Sequence, residues 1–449
     1  MASAAEQLAS NINLGVLGKA TELKKRIWFT LGALIIYRLG TYIPVPGVDP
    51  VILEQVFQQN SSGILGMFDM FAGGALGRMT IFALNIMPYI SASIIMQLMT
   101  AVSPKMEQLK KEGESGRKKM NQYTRYLTVL IAAMQGYGIA VGLEGMTAGG
   151  QSAVIDAGMF FRFTTVVTLV GGTMFLMWLG EQITARGVGN GISLIIFAGI
   201  VANLPSALAG TLELGRTGAL STAFILVLLV MVVAVITGIV FVERAQRRII
   251  VQYPKRQVGN KMFGGESSHL PLKINVSGVI PVIFASSILL LPMTVMSFGG
   301  GEGGGPEWMQ TFQALFGRGQ PLYLIAYALL VGFFAFFYTA IVFNPEDTAD
   351  NLKKNGGFVP GIRPGKNTSQ YLDYVLTRLT AVGATYLVVV AILPEILISQ
   401  YSVPFYFGGT SLLIVVTVTM DTVAQVQSHL LAHQYEGLIK KAKLRGRKR

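Results

Sequence analysis

Few side chains in this sequence are spaced for covalent or metal chemistry. His429 and His433 lie four residues apart, which on a helix puts two imidazoles on one face, as a shared metal would require. No convincing third ligand stands with them, and the remaining histidine is His269, so a solvated helix face is the better reading. Cysteine is absent, which removes thiolate metal sites, disulfides and thiol nucleophiles together. "RGVGNG" (Arg186–Gly191) superficially resembles a dinucleotide loop, but it leads into an apolar helix and follows no strand. No glycine run is followed by Lys-Ser or Lys-Thr, so there is no P-loop. No nucleophile and base stand in a catalytic pattern. The expectation is a protein that is not an enzyme, with no cofactor and no metal.

The elements that carry these residues are apolar. Of 449 residues, 52% are hydrophobic and 13% charged, against about 25% charged in a soluble domain. Mean hydropathy is +0.53, so the class is a polytopic membrane protein. The first twenty residues lack the basic start, apolar core and small-residue site of a cleaved signal peptide. A helix needs roughly 20 apolar residues to cross the hydrocarbon core. Ten stretches qualify: Ile27–Ile43, Met79–Ala101, Thr124–Leu143, Met159–Leu179, Val188–Leu208, Leu220–Val242, Ile274–Phe298, Pro321–Phe343, Val375–Ile398 and Pro404–Val426.

Charge orients them. Lys24-Lys25-Arg26, "KKEGESGRKKM", "RAQRRIIVQYPKRQVGNK", "KKNGGFVPGIRPGK" and the tail "KKAKLRGRKR" all fall on one face. Arg38, Arg78, Arg162, Arg216 and Arg318 fall on the other. The positive-inside rule makes the crowded face cytoplasmic and places both termini there. The net charge of +13 is mostly topology.

Ten spans divide as five plus five, and an odd number per half inverts the second half. Two short matches support such a repeat. "PYISAS" (Pro88–Ser93) in span 2 matches "PVIFAS" (Pro281–Ser286) in span 7. "GISLII" (Gly191–Ile196) in span 5 matches "GTSLLI" (Gly409–Ile414) in span 10. Pro88 and Pro281 within spans are expected to kink their helices at corresponding places, a pointer to a transport site. The fold class is therefore an all-α polytopic membrane protein, with ten helices in two pseudo-symmetric inverted halves around a pore. The parts are a cytoplasmic segment 1–26, an N-terminal half 27–208, an external hinge loop 209–219, a C-terminal half 220–426 and a basic tail 427–449.

The span centres are nearly free of ionisable residues. Glu181, Glu395 and Asp421 sit near span ends, and the buried polar residues Asn85, Gln97, Gln135 and Asn190 are neutral. That argues against a proton- or sodium-coupled carrier of charged substrates. Ile86 with Ile90, and Ile192 with Ile196, are i,i+4 pairs. With Ile283 and Ile414 they could form an apolar collar. Isoleucine is also ordinary in lipid, so spacing alone leaves the collar open. The loops at 243–273 and 344–374 are basic and longer than topology requires, which suits docking of RNA or an acidic protein surface.

The stretches "FAGGALGRMTIFALNIMPYISASIIMQLM", "MFLMWLGEQITARGVGNGIS", "SSHLPLKINVSGVIPVIFASSILLLP" and "VFNPEDTADNLKKNGGFVPGIRPGKNT" resemble the SecY/Sec61-alpha family of protein-translocation channels. The likeness runs from about Leu23 to the tail. The resemblance implies a pore ring of Ile86, Ile90, Ile192, Ile196, Ile283 and Ile414. It implies a plug over about 64–76 (Ile64, Leu65, Met67, Phe68, Met70, Phe71, Gly73 and Gly74), with the glycine pair as its hinge and Arg78 reaching an aqueous funnel. It implies a lateral gate on spans 2 and 7, with Pro88, Ser91, Gln97, Pro281, Ser286 and Leu291. It implies docking of the SecA motor or a translating ribosome by Arg247, Arg248, Lys255, Arg256, Lys261, Lys353, Lys354 and Arg363. Asn260 beside Lys261 departs from the two basic residues expected at that tip. SecE and SecG would be small partner subunits. The implied activity is conduction of unfolded secretory chains across the bacterial inner membrane, and release of nascent membrane helices into its lipid bilayer. The alternative from a different class is an inverted-repeat transporter for a small neutral solute.

Overall fold

The structure is a computed structural model. It describes residues 20–53, 55, 69, 72–145, 147–148, 151–217, 221–254, 256–258, 261–263, 267–299, 311, 315, 320–401 and 409–446. Of these, the side chains of 147–148, 151, 222, 256–258, 261–263, 290–299, 397–401, 409, 431 and 433–446 are not described. The described chain is mostly helical. Its elements are α1 Thr21–Gly40, α2 Met87–Val102, α3 Pro104–Lys111, α4 Glu114–Gly145, β1 Thr147–Ala148, β2 Gln151–Ser152, α5 Met159–Arg186, α6 Gly191–Ala202, α7 Leu204–Arg216 and α8 Thr222–Arg244. Then come β3 Gln246–Gln252, β4 Arg256–Val258, β5 Lys261–Phe263, β6 Ser267–Lys273, α9 Ile280–Gly299, α10 Pro321–Val342, α11 Pro345–Lys354, α12 Lys366–Tyr401 and α13 Gly409–Gly446.

Among the described residues, seven helices are long and apolar enough to cross a membrane; α2 and the first part of α9 are shorter apolar helices. The second expected span differs in its start. Residues 79–86 form turns, apart from Thr80, which bridges Pro44, with Met79 at φ 44° and Asn85 at φ 50°, and the helix begins at Met87. Pro88 and Pro281 are the second residues of α2 and α9, so neither kinks a helix. The reason is local. Proline lacks an N–H and has a preset φ, which suits a first helical turn and breaks an interior one. The segment expected as a hinge loop from 209 is helical through Arg216.

The chain splits into two compact units. One comprises Met1–Leu208, Leu290–Ala314 and Val418–Arg449. There α4 packs on α5 and α2, and α5 on α6 and α1. The other comprises Ala209–Leu289 and Leu315–Thr417. There α10 and α11 both pack on α12, and β3 pairs antiparallel with β6 from Gln246 opposite Lys273 to Gln252 opposite Ser267.

Candidate functional site

In the first unit, two of the expected pore residues open α2. Ile86 caps the helix and Ile90 lies in its first turn; both are buried. Ser91 is buried, and Gln97 is half-buried with its amide donating to Ser93 Oγ at 3.3 Å. Ile192 and Ile196 lie on α6, half-buried and buried respectively. The start of α6 is fixed by the stretch that looked like a dinucleotide loop. Val188 N–H donates to Thr30 Oγ1 of α1 at 3.0 Å, and Gly189 N–H to Gln425 Oε1 of α13 at 2.9 Å. Gly191 N–H donates to Thr184 Oγ1 of α5 at 2.9 Å, and Asn190 Oδ1 accepts from Ile192 and Ser193. A Cβ at Gly191 would fall on the carbonyl oxygen of Gly180, so only glycine fits. The motif is a helix junction, and its amides serve the protein rather than a phosphate.

Of the expected plug, Gly73 and Gly74 are described; Ile64, Leu65, Met67, Phe68, Met70 and Phe71 lie outside the described residues. The glycine pair has φ +67° and +82°, a region costly for other residues. A Cβ at Gly73 would also stand 2.9 Å from Gly199 Cα. Both carbonyls are held by arginines. Arg38 Nη1 donates to Gly73 O at 2.8 Å, and Arg78 Nη2 to the same oxygen at 3.3 Å. Arg78 Nε donates to Gly74 O at 2.9 Å. Both guanidiniums lie by the Tyr42 ring, at 5.0 Å for Arg38 and 4.1 Å for Arg78. Asp69 Oδ1 accepts from Gly77 N–H at 2.7 Å. Burial pushes the Asp69 carboxyl up, opposed by the amides of Gly77 and Leu76 and by the Arg78 charge. Arg78 is half-buried, and its guanidinium fastens the carbonyls of the glycine pair. Arg38 was legible only as an outer-face charge and Tyr42 not at all, although their i,i+4 spacing across the end of α1 was a usable signal.

In the second unit, Pro281, Ile283 and Ser286 are buried on α9; the Leu291 side chain lies outside the described residues. Ile414 is fully buried on α13. The loop before α9 carries a polar knot that sequence reading missed. Asn275 Nδ2 donates to Glu243 Oε1 at 2.7 Å and to Gly278 O at 3.0 Å, and Ser277 Oγ donates to Asn275 Oδ1 at 3.0 Å. Glu243 opens the charged stretch 243–273, yet it is buried.

The two basic loops form one folded body. Gln252 and Phe358 exchange backbone hydrogen bonds at 2.8 and 2.9 Å, adding the second loop to the edge of the β3–β6 ribbon. Beneath them Ile249, Leu272, Val359, Leu372 and Val375 make a buried apolar cluster. Burying such side chains contributes roughly 1.5–3 kcal/mol each, enough to order the loops. Arg247, Arg248, Lys353, Lys354 and Arg363 remain exposed, and none joins an ion pair among the described residues. The Lys255 residue is outside the described set, as are the side chains of Arg256 and Lys261.

The SecY family model matches residues 80–423. Escherichia coli (strain K12) protein translocase subunit SecY is 57% identical over 430 residues, 96% of each chain. The chain belongs to the SecY family. The corresponding subunit of Rickettsia typhi is 55% identical over 426 residues, covering 95% of this chain and 98% of its own. The SecY-family fold extends to solved structures. "The structure of a protein conducting channel" aligns with TM-score 0.64 at 18% identity, over 91% of this chain and 92% of that one. "Sec61 in the Canine ribosome-channel complex from the endoplasmic reticulum" aligns with TM-score 0.60 at 17% identity over the same shares.

Proposed function

We propose that this chain is the channel subunit of a bacterial inner-membrane protein translocase, and that it conducts unfolded polypeptides without catalysing a reaction itself. The observation that carries the reading is 57% identity to a translocase subunit across 96% of both chains. The architecture we propose is ten spans in two inverted five-helix halves, with both termini cytoplasmic. Local structure supports the repeat. In each unit one matched stretch begins a helix with proline second, at Pro88 and Pro281, and another begins a helix with glycine first, at Gly191 and Gly409. Ile90 and Ile283 each stand two residues beyond the proline; Ile196 and Ile414 each stand five beyond the glycine.

The six isoleucines Ile86, Ile90, Ile192, Ile196, Ile283 and Ile414 are read as an apolar constriction. Such a ring excludes water and ions by dewetting, binds nothing tightly, and can part for an extended chain. The segment over about 64–76, which includes Gly73-Gly74, is read as a plug, and α2 and α9 as the lateral gate for signal sequences and nascent helices. The ribbon and its partner loop are read as the cytoplasmic dock. Exposed arginines and lysines on an ordered apolar base suit phosphate-rich ribosomal RNA or the acidic surface of a SecA motor. SecE and SecG are the small subunits expected with it. The deciding experiment is reconstitution with those subunits, SecA and a preprotein, scored by protease protection. Protected preprotein is expected only when SecA and ATP are present; none under any condition overturns the reading. Changing several ring isoleucines to serine should raise ion leak, and Arg363→Glu should weaken driven export while the fold survives.

A further inference from the structure

We propose that Asn275, with Glu243, is the positioning residue of α9: it sets the height and tilt at which the gate helix enters the membrane. This rests on reading α9 as a gate helix bearing Ile283. Asn275, Glu243 and Ser277 are 3%, 7% and 4% exposed, so the knot is closed to bulk water. A carboxylate oxygen and the Gly278 carbonyl can only accept, so the amide nitrogen must face both. Each polar atom of the Asn275 side chain is thereby used, and the orientation is unique.

The knot joins three parts of the second unit. Glu243 is in the last turn of α8. Ile274 N–H donates to Ala245 O at 3.1 Å, closing the base of the ribbon. Gly278, at φ +62°, makes the turn into α9, and Ile283 follows five residues later. Gly383 of α12 comes so close that a Cβ there would stand 2.9 Å from Ile274 O. The dock therefore runs into the gate helix through a few residues with no slack. Stability alone does not call for a buried carboxylate here. Packed apolar groups of similar volume are often as stable as a buried charged pair, whereas a charge-assisted bond dictates one geometry.

The test uses the full chain with its partner subunits in liposomes, measuring ion leak, together with amide hydrogen exchange over residues 278–287. Asn275→Asp sets two acid groups against each other, which at pH 8 must either repel or share a proton, and either changes the spacing that the amide fixed. Adding Glu243→Gln restores an amide–carboxylate bond with the roles reversed. A multiple Ile→Ser ring variant runs alongside. The expected result is about tenfold more leak and faster exchange in Asn275→Asp, the shift that follows loss of one charge-assisted hydrogen bond. The double variant should recover most of both, although Gly278 O still lacks its donor. If the ring variant leaks and Asn275→Asp does not, the positioning role is overturned and the collar survives. If the ring variant does not leak, the collar fails, and the exchange measurement alone decides: unchanged exchange in Asn275→Asp overturns the proposal. Should Asn275→Asp not fold, Glu243→Leu with Asn275→Leu replaces the knot by packed side chains. Faster exchange with the fold retained supports the proposal, and wild-type exchange overturns it.

Discussion

Two helices in separate units begin with the same pattern, Pro88 second in α2 and Pro281 second in α9, yet the chain reaches them by different routes. The approach to α2 runs from Gly73 to Ile86 through four positive-φ residues, Gly73, Gly74, Met79 and Asn85. It is fastened by half-buried guanidiniums on backbone carbonyls. The approach to α9 is short, has one positive-φ residue at Gly278, and is fastened by a buried amide on a buried carboxylate. The first fastening stands where water and salt can compete for it, so it can release; the second cannot be solvated in place. On the proposed function, the releasable approach adjoins the plug and the fixed one adjoins the dock.

The largest effect that tests this contrast comes from adding one methyl group to each side. A Cβ at Gly172 of α5 would fall on the carbonyl oxygen of Ile81, in the approach to α2. Alanine usually helps a helix by about 0.5–1 kcal/mol over glycine. Here overpacking against backbone outweighs that, and Gly172→Ala is expected to lose about 2 kcal/mol or more. Gly278 has open space around its Cβ, so Gly278→Ala should cost only backbone strain, about 1 kcal/mol. Apparent thermal midpoints in detergent rank the two; the reverse order would break the contrast.

A smaller effect is expected at Arg38. Arg38→Ala removes the 2.8 Å bond to Gly73 O and one cation at Tyr42. A hydrogen bond from a charged group is worth roughly 1.5–3 kcal/mol when buried, and partial exposure cuts this to about 1 kcal/mol. The loss is read as the difference in apparent thermal midpoint between wild type and variant in detergent.

The smallest effect is at Asp69. Burial raises its carboxyl above the ordinary range, so the folded chain holds this proton more tightly than the unfolded chain. The resulting stability is fully present below the ordinary value near pH 4 and is lost as pH rises through the raised folded value. Asp69→Asn keeps an oxygen that accepts from Gly77 N–H and removes the charge. Its midpoint should vary less with pH across that window and lie slightly above wild type at neutral pH. A variant as pH-dependent as wild type would mean that another group sets the slope.

Composition alone determined the class of this protein. With 13% of residues charged, no chain of this length can cover a water-soluble surface, and runs of about 20 apolar residues in lipid must become helices. The matched stretches at Pro88 and Pro281, and at Gly191 and Gly409, were legible because proline and glycine act on their own backbone. Whether those prolines kink a helix or begin one was not legible, since that depends on where the preceding turns end. Nor was the burial of Glu243, whose partner lies 32 residues away, or the grip of Arg38 on Gly73, 35 residues away. Local spacing carries no information about such pairs. Only the packing of helices against one another decided which charged side chains left water, and which backbone groups they met there.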